Sequence, residues 1–257
     1  MDTSRFNMFS RATLALSVLF HAVCVSSLGG PTDTYTWGGD YSRAGYQTNH
    51  NMDPAVVGSS SFGQLFQTAL PGNFGGIGPE QIFSQPLVFT GNDGNQYVYL
   101  ATTQNNLYKL DAKTGQIITS RNLHVPFLTA DLDGCVDINP TVGVTATGTI
   151  DPNTGYWYFT SKTYAPQFQN TTFGPANPPG RLNGRYYFHC IDTQSPTLAD
   201  CNSNFQGGVL IDGTIFRNNP NRMFIGGNQH SRPALVMVGD YIYTGYASHC
   251  GKYTNPM

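Results

Sequence analysis

Two adjacent His-Cys pairs, His189-Cys190 and His249-Cys250, are the residues of this sequence whose types most readily suggest chemistry. Imidazole and thiolate together suit a soft divalent metal. Neighbours on a strand point to opposite faces, so a single strand does not easily offer both. Of the five cysteines, Cys24 lies in an N-terminal apolar stretch, which leaves Cys135, Cys190, Cys201 and Cys250. In an oxidising compartment these are better read as bridged than as metal-bound. Four cysteines allow three pairings. Cys190 and Cys201 flank the turn-rich residues 192–200, a spacing that suits a local bridge. Cys135 and Cys250 then form the long-range pair.

A second candidate is Asp131-Leu132-Asp133-Gly134 with Asp137 close by. Alternating carboxylates before a glycine can wrap a hard cation such as calcium. The closing Glu of an EF-hand loop is missing, and Asp and Gly dominate ordinary turns, so the turn is the stronger reading. Asp93, between Asn92 and Asn95, is a weaker case still. His230 beside Ser231-Arg232 reads as a polar loop, and no nucleophile elbow supports a Ser-His-Asp triad. Tyr97, Tyr99, Tyr156, Trp157, Tyr186, Tyr187, Tyr241, Tyr243 and Tyr246 could stack on sugars or quinone rings at an exposed mouth. They sit inside strand-like runs, which favours packing. Asn170-Thr171-Thr172 is an acceptor for N-linked glycan in a eukaryotic source, within a polar, Pro-rich stretch.

Short strands and tight turns must position all of these. Charged residues make up only 11% of the chain, against roughly 25% in an average soluble domain. Long exposed helices, which carry many charges, are therefore not expected. The counts of Gly 29, Pro 16, Tyr 15 and Phe 16 favour strands and turns. Net charge is −2, with no basic block, so nucleic acid is a poor partner.

The clearest unit runs from Gln85 to Leu123. Pro86 to Phe89 is a first strand, Gly91 to Asn95 a turn, Tyr97 to Thr102 a second strand, Leu107 to Asp111 a third, and Gln116 to Asn122 a fourth. The pattern returns with Val142 to Asp151, then Tyr156 to Ser161, then Arg185 to Asp192 after a loop insertion from Ala165 to Gly184. Pro233 to Met237 and Tyr241 to Ala247 open a further unit. The second strands of the three units are predicted to hold equivalent, central places. Four short antiparallel strands with tight turns make one propeller blade.

The N-terminus reads as a secretory signal over residues 1–27: Arg5 and Arg11 precede an apolar stretch from Ala12 to Val25, and Val25 and Ser27 suit a cleavage site. The stretch is too short to span a membrane. Residues 28–257 are predicted to form one exported domain with no membrane attachment after cleavage.

Leu110-Asp111-Ala112-Lys113-Thr114-Gly115 resembles the core of the repeat in pyrroloquinoline-quinone-type β-propellers. Trp37-Gly38-Gly39-Asp40, with Arg43 and Gln47-Thr48-Asn49, is similar to the segment that opens the mature part of such proteins. Asn139 to Thr145 with Ile150-Asp151-Pro152, and Ser231 to Leu235 through Tyr243 to Cys250, are similar to later blades of secreted members. The resemblance covers most of the chain from Trp37. It implies an all-β fold: a partial β-propeller of about three to four four-stranded antiparallel blades, open or incomplete, since the chain stops at Met257 in mid-unit. Thr119 stands where the repeat usually has a tryptophan that docks between blades, so other apolar residues must dock them here. Family enzymes hold pyrroloquinoline quinone and calcium on the propeller axis, often beside a vicinal disulfide. No Cys-Cys pair occurs, and no motif assigns a catalytic base. The expectation is a secreted, non-catalytic binding or structural domain whose partner is carbohydrate or protein. The competing reading is a fragment of a quinone-dependent or sugar-oxidising dehydrogenase.

Overall fold

The computed structural model describes residues 28–47, 52–211, 215–216 and 219–251, giving the backbone alone for 215–216 and 219–223. The signal sequence read at 1–27 lies outside the described residues. The chain is mostly β. Two four-stranded antiparallel sheets dominate it, and none of its sheets closes on itself.

The first sheet is a meander of β1 (Leu87–Thr90), β2 (Gln96–Ala101), β3 (Asn106–Asp111) and β4 (Ile117–Asn122) in spatial order. Its sequence alternates aromatic and branched residues with turn formers, and each turn has an identifiable cause. The Gly91 amide donates to the Asn95 carbonyl at 2.9 Å, with Gly94 in the left-handed region at φ 77°. The β3–β4 turn is tied by Asp111, whose Oδ1 accepts from the Lys113 and Thr114 amides at 3.0 and 2.8 Å. Asp151 repeats that device, with its Oδ1 accepting from the Asn153 amide at 3.0 Å and Thr154 Oγ1 donating to Oδ2 at 2.8 Å.

β5 (Phe127–Leu128) pairs with β6 (Thr141–Val142). The second sheet contains β7 (Thr149–Ile150), β8 (Tyr156–Tyr164), β9 (Gly184–Asp192) and β10 (Val209–Ile211), again in meander order. β2 and β8 are thus second in their sheets, as the repeat predicts. The single strand expected over Val142–Asp151 is broken into β6 and β7. A Cβ on Gly143 would stand 2.6 Å from the Thr103 carbonyl oxygen, and one on Gly148 would stand 2.5 Å from that of Tyr158. Close backbone approach at both glycines takes the intervening residues out of a regular ladder.

The remaining pairs are small. β11 (Ile215–Phe216) pairs with β12 (Asn219–Met223), and β13 (Gln229–His230) with β16 (Ala247–Ser248). β14 (Val236–Val238) pairs with β15 (Tyr241–Tyr243). The third unit is therefore a two-stranded hairpin among the described residues. Its second strand ends at Tyr243 instead of Ala247, because Ala247 turns away to pair with His230. The helices are single turns, α1 (Pro54–Val57) and α2 (Pro166–Gln169), the latter inside the loop predicted over Ala165–Gly184.

One core joins the two large sheets. Leu87, Phe89, Tyr99 and Leu107 of the first pack with Ile150, Trp157, Phe159 and Ile191 of the second. Tyr99 and Trp157 meet edge to face with centroids 6.0 Å apart. Burying such side chains contributes about 1.5–3 kcal/mol each. These rings join the two sheets, while Thr119 is half-buried on β4. A second core of Phe127, Leu128, Leu132, Cys135, Ile138, Val142 and Tyr164 lies under residues 125–142 and fixes that loop. Gly184, Gly226 and Gly227 bring two backbone segments into direct contact: a Cβ on Gly227 would lie 1.7 Å from the Arg181 carbonyl oxygen.

Candidate functional site

The strongest concentration of chemistry lies where β8, the 125–142 loop, β13 and the chain after β16 meet. Lys162 sits toward the C-terminal end of β8 (Tyr156–Tyr164) and is fully buried. Its Nζ is 3.0 Å from the Gly227 carbonyl, 2.9 Å from the Gln229 carbonyl and 2.9 Å from His249 Nε2. The ammonium end also lies 4.1 Å from the centre of the Phe127 ring. His249 Nδ1 faces Asp137 Oδ1 at 3.3 Å, and His230 Nδ1 lies 3.8 Å from Asp137 Oδ2. The two imidazoles stack with centroids 4.4 Å apart and planes 6° from parallel. Asp137 closes the chain of contacts at the surface, its side chain 32% exposed.

Burial dominates the electrostatics. It pushes the Lys162 amine well below the usual lysine range, against the pull of Asp137 and Asp131. It lowers His230 to about 4, helped by the Lys162 charge and opposed by Asp137. It lowers His249 to about 3, again reinforced by Lys162. Both imidazoles are therefore neutral at physiological pH. Among the described residues, no hydroxyl or thiol nucleophile is bonded to either ring. The cluster can hold a cation or fix the chain, and it lacks the nucleophile and oxyanion donors of an acyl-transfer site.

Both disulfides are present. Cys135 joins Cys250 with an S–S distance of 2.02 Å, and Cys190 joins Cys201 at 2.11 Å. The bridge at Cys135 flanks the cluster: its sulfur lies 3.2 Å from Asp137 Oδ1.

The three carboxylates considered for calcium face different partners. Asp131 Oδ2 accepts from the Tyr164 hydroxyl at 2.7 Å and the Gly180 amide at 3.1 Å. Asp133 Oδ2 lies 3.5 Å from Arg181 Nε, and Asp137 turns to the histidines. A calcium ion needs six to eight oxygens around one point. These residues do not converge in that way, and they do not fit the calcium-quinone centre of the resembling family. Asn170 is exposed at the end of α2, as are Thr171 and Thr172.

The two His-Cys pairs divide. On β9 His189 and Cys190 face opposite ways: His189 Nε2 lies 2.8 Å from Ser161 Oγ, while Cys190 reaches Cys201. Ser161 and His189 are both fully buried, so this Ser-His contact is closed to substrate. His249 and Cys250 lie in a 3-10 turn, and Cys250 has φ 48°. Sequence reading missed Lys162 and took His230 for a polar loop, whereas it is buried on β13. No sequence signal marked Lys162: it lies in the polar stretch Thr160-Ser161-Lys162-Thr163, just past the strand expected over Tyr156–Ser161.

His189 also sets a pH dependence. Burial pushes it well below the usual histidine range, with Arg121 and His124 as further causes. His124, its ring tilted against His189 with centroids 5.6 Å apart, is lowered for the same first reason, with the Gly207 carbonyl and Asp200 partly opposing. In the unfolded chain both take up protons near pH 6.5, while the native state resists until lower pH. Acidification below about pH 6.5 therefore favours the unfolded state. Thermal melts should show a lower Tm at pH 5 than at pH 7.5, and His189→Gln should shrink the difference. An unchanged difference in that variant would remove His189 as a cause.

A separate cleft of about 590 Å³ opens between the outer part of the second sheet and the β14–β15 hairpin. Tyr158, Phe188, Phe205 and Ile211 form one wall; Met237 and Ile242 form the other, with Asp240 and Thr244 at the rim. Tyr158 and Phe188 stack with centroids 6.0 Å apart.

No protein-family model matches the chain, and no curated protein or solved structure is significantly similar to it.

Proposed function

We propose that this chain is an exported, propeller-type domain with a binding role, whose ligand is a carbohydrate held in the aromatic cleft beside Tyr158. The observation that carries the architecture is the single core shared by two consecutive four-stranded meanders. Propeller blades pack in this way, each second strand central and each sheet face covered by its neighbour. The third unit, seen as the hairpin β14–β15, follows the second sheet after the short strands β11 to β13 and forms the opposite wall of the cleft. Two disulfides, and no helix among the described residues long and apolar enough to cross a membrane, are compatible with an extracellular setting. A glycan on Asn170 would meet solvent.

The cleft has the size and lining of a small-molecule site: apolar walls with a few polar groups at the rim. Aromatic faces stack on the C–H faces of sugars, while Asp240 and Thr244 can bond hydroxyls. Calorimetric titration of the purified chain with a panel of neutral mono- and oligosaccharides tests this. Binding of a sugar that is lost in Phe188→Ala and Phe205→Ala is expected. Retention of a quinone by the chain, with calcium-dependent dye reduction on alcohols or sugars, would overturn the non-catalytic reading.

A further inference from the structure

Cys135, Asp137 and His249 each bring one ligand-type atom to a common point, all within 4.8 Å of one another. Cys250 adds a fourth, because its sulfur is bonded to that of Cys135. Residues on a strand could not present His249 and Cys250 to the same place. Here the 3-10 turn over His249–Gly251 and the left-handed backbone of Cys250 bring both to one side. The His249 ring is already oriented. Lys162 Nζ stands 2.9 Å from Nε2, and the stack on His230 fixes the plane, so Nδ1 faces Asp137. Partners of this kind pre-position metal-ligating imidazoles.

While the bridge is intact its sulfurs carry no charge and cannot serve as thiolates. The geometry points to a latent, redox-gated metal site in which the reduced sulfurs of Cys135 and Cys250, His249 Nδ1 and a carboxylate oxygen of Asp137 bind a tetrahedral divalent cation of the zinc type. Two electrons from a thiol reductant open it. A thiolate attacks the sulfur of Cys250, which is exposed, whereas Cys135 is buried. The S–S bond breaks, a mixed disulfide forms at Cys250, and Cys135 leaves as thiolate. A second reductant thiol attacks the reductant sulfur of the mixed disulfide, releasing Cys250 and leaving the reductant as its own disulfide. The cation then displaces the thiol protons. Two sulfurs, one nitrogen and one oxygen select zinc or cobalt over calcium or magnesium. The second bridge offers no such set, since His189 faces Ser161 on the other side of its strand from Cys190.

The test uses the full chain, reduced with a phosphine that is then removed, and cobalt(II) as the probe. The reduced chain should bind one cobalt ion with a thiolate-to-cobalt charge-transfer band that zinc displaces; the oxidised chain should show none. The band should persist in Cys190→Ser/Cys201→Ser and vanish in Cys135→Ser/Cys250→Ser. Asp137→Asn and His249→Ala should weaken binding by at least about tenfold. Circular dichroism should show the metal raising the Tm of the reduced chain. No band, a band that survives loss of Cys135 and Cys250, or a reduced chain whose Tm zinc does not raise would each overturn the proposal.

Discussion

Replacing Lys162 by methionine lowers stability by about 3–5 kcal/mol, even though the side chain keeps its length and apolar stem. Three polar groups meet that one nitrogen: the carbonyls of Gly227 and Gln229 and the Nε2 of His249, with the Gln229 carbonyl also accepting from the Tyr186 hydroxyl at 3.4 Å. All converge on a fully buried residue, and no water-facing route can replace a lost donor. Each buried acceptor left unpaired costs about 1–3 kcal/mol. The cost arises whether the amine is charged or neutral, since either form donates to the carbonyls. Urea denaturation of Lys162→Met against the parent chain measures it. Lys109→Met is the comparison: that lysine is buried too, but it bonds a single carbonyl, Thr193 O, at 3.0 Å. It should cost clearly less. A loss below about 1 kcal/mol at Lys162 would show that the network is not a structural clamp.

The second large effect belongs to the long bridge. Cys135 and Cys250 are 115 residues apart, while Cys190 and Cys201 are separated by 11. In the loop-entropy account the first restrains the unfolded chain by about 5 kcal/mol and the second by about 3 kcal/mol. Cys135→Ala/Cys250→Ala should therefore be the more damaging pair. It also frees the turn that carries His249, so the Lys162 network weakens with it. Calorimetry of the two double variants ranks them. A larger drop in Tm for Cys190→Ala/Cys201→Ala would reverse the assignment of which bridge ties the chain together.

The first sheet was legible because its chemistry is local. The run Tyr97-Val98-Tyr99-Leu100 is bounded by Asp93-Gly94 and Asn105-Asn106, and neighbours in sequence pair in space. β8 and β9 were legible for the same reason, despite the loop between them. β6 and β7 were not, because Gly143 and Gly148 are set by backbones elsewhere in the chain, which no local pattern announces. Spacing and the turn at 192–200 favoured the Cys190–Cys201 bridge, but the sequence allowed three pairings and the structure selects among them. The cluster around Asp137 could not be read, because Asp137, Lys162, His230 and His249 come from four separate segments that only tertiary packing brings together. The separation of Asp131, Asp133 and Asp137 onto different partners was equally invisible, since spacing alone places them together.

The meeting of Gly184 with Gly226 and Gly227 has a consequence for how this sequence can vary. A Cβ at Gly184 would stand 2.5 Å from the Gly227 Cα, and one at Gly226 would stand 2.8 Å from the Arg185 Cα. Backbone atoms cannot move aside as a flexible side chain can, so none of the other nineteen amino acids fits at these three positions. In a saturation library selected for folded protein they should read as blank columns. Gly45 and Gly75, with nothing within 4 Å of a new Cβ and φ of 66° and 57°, should instead admit residues such as Asn and Asp that tolerate the left-handed region. The permitted and forbidden glycines would trace, from survival counts alone, the seam along which the Gly227 carbonyl is delivered to Lys162.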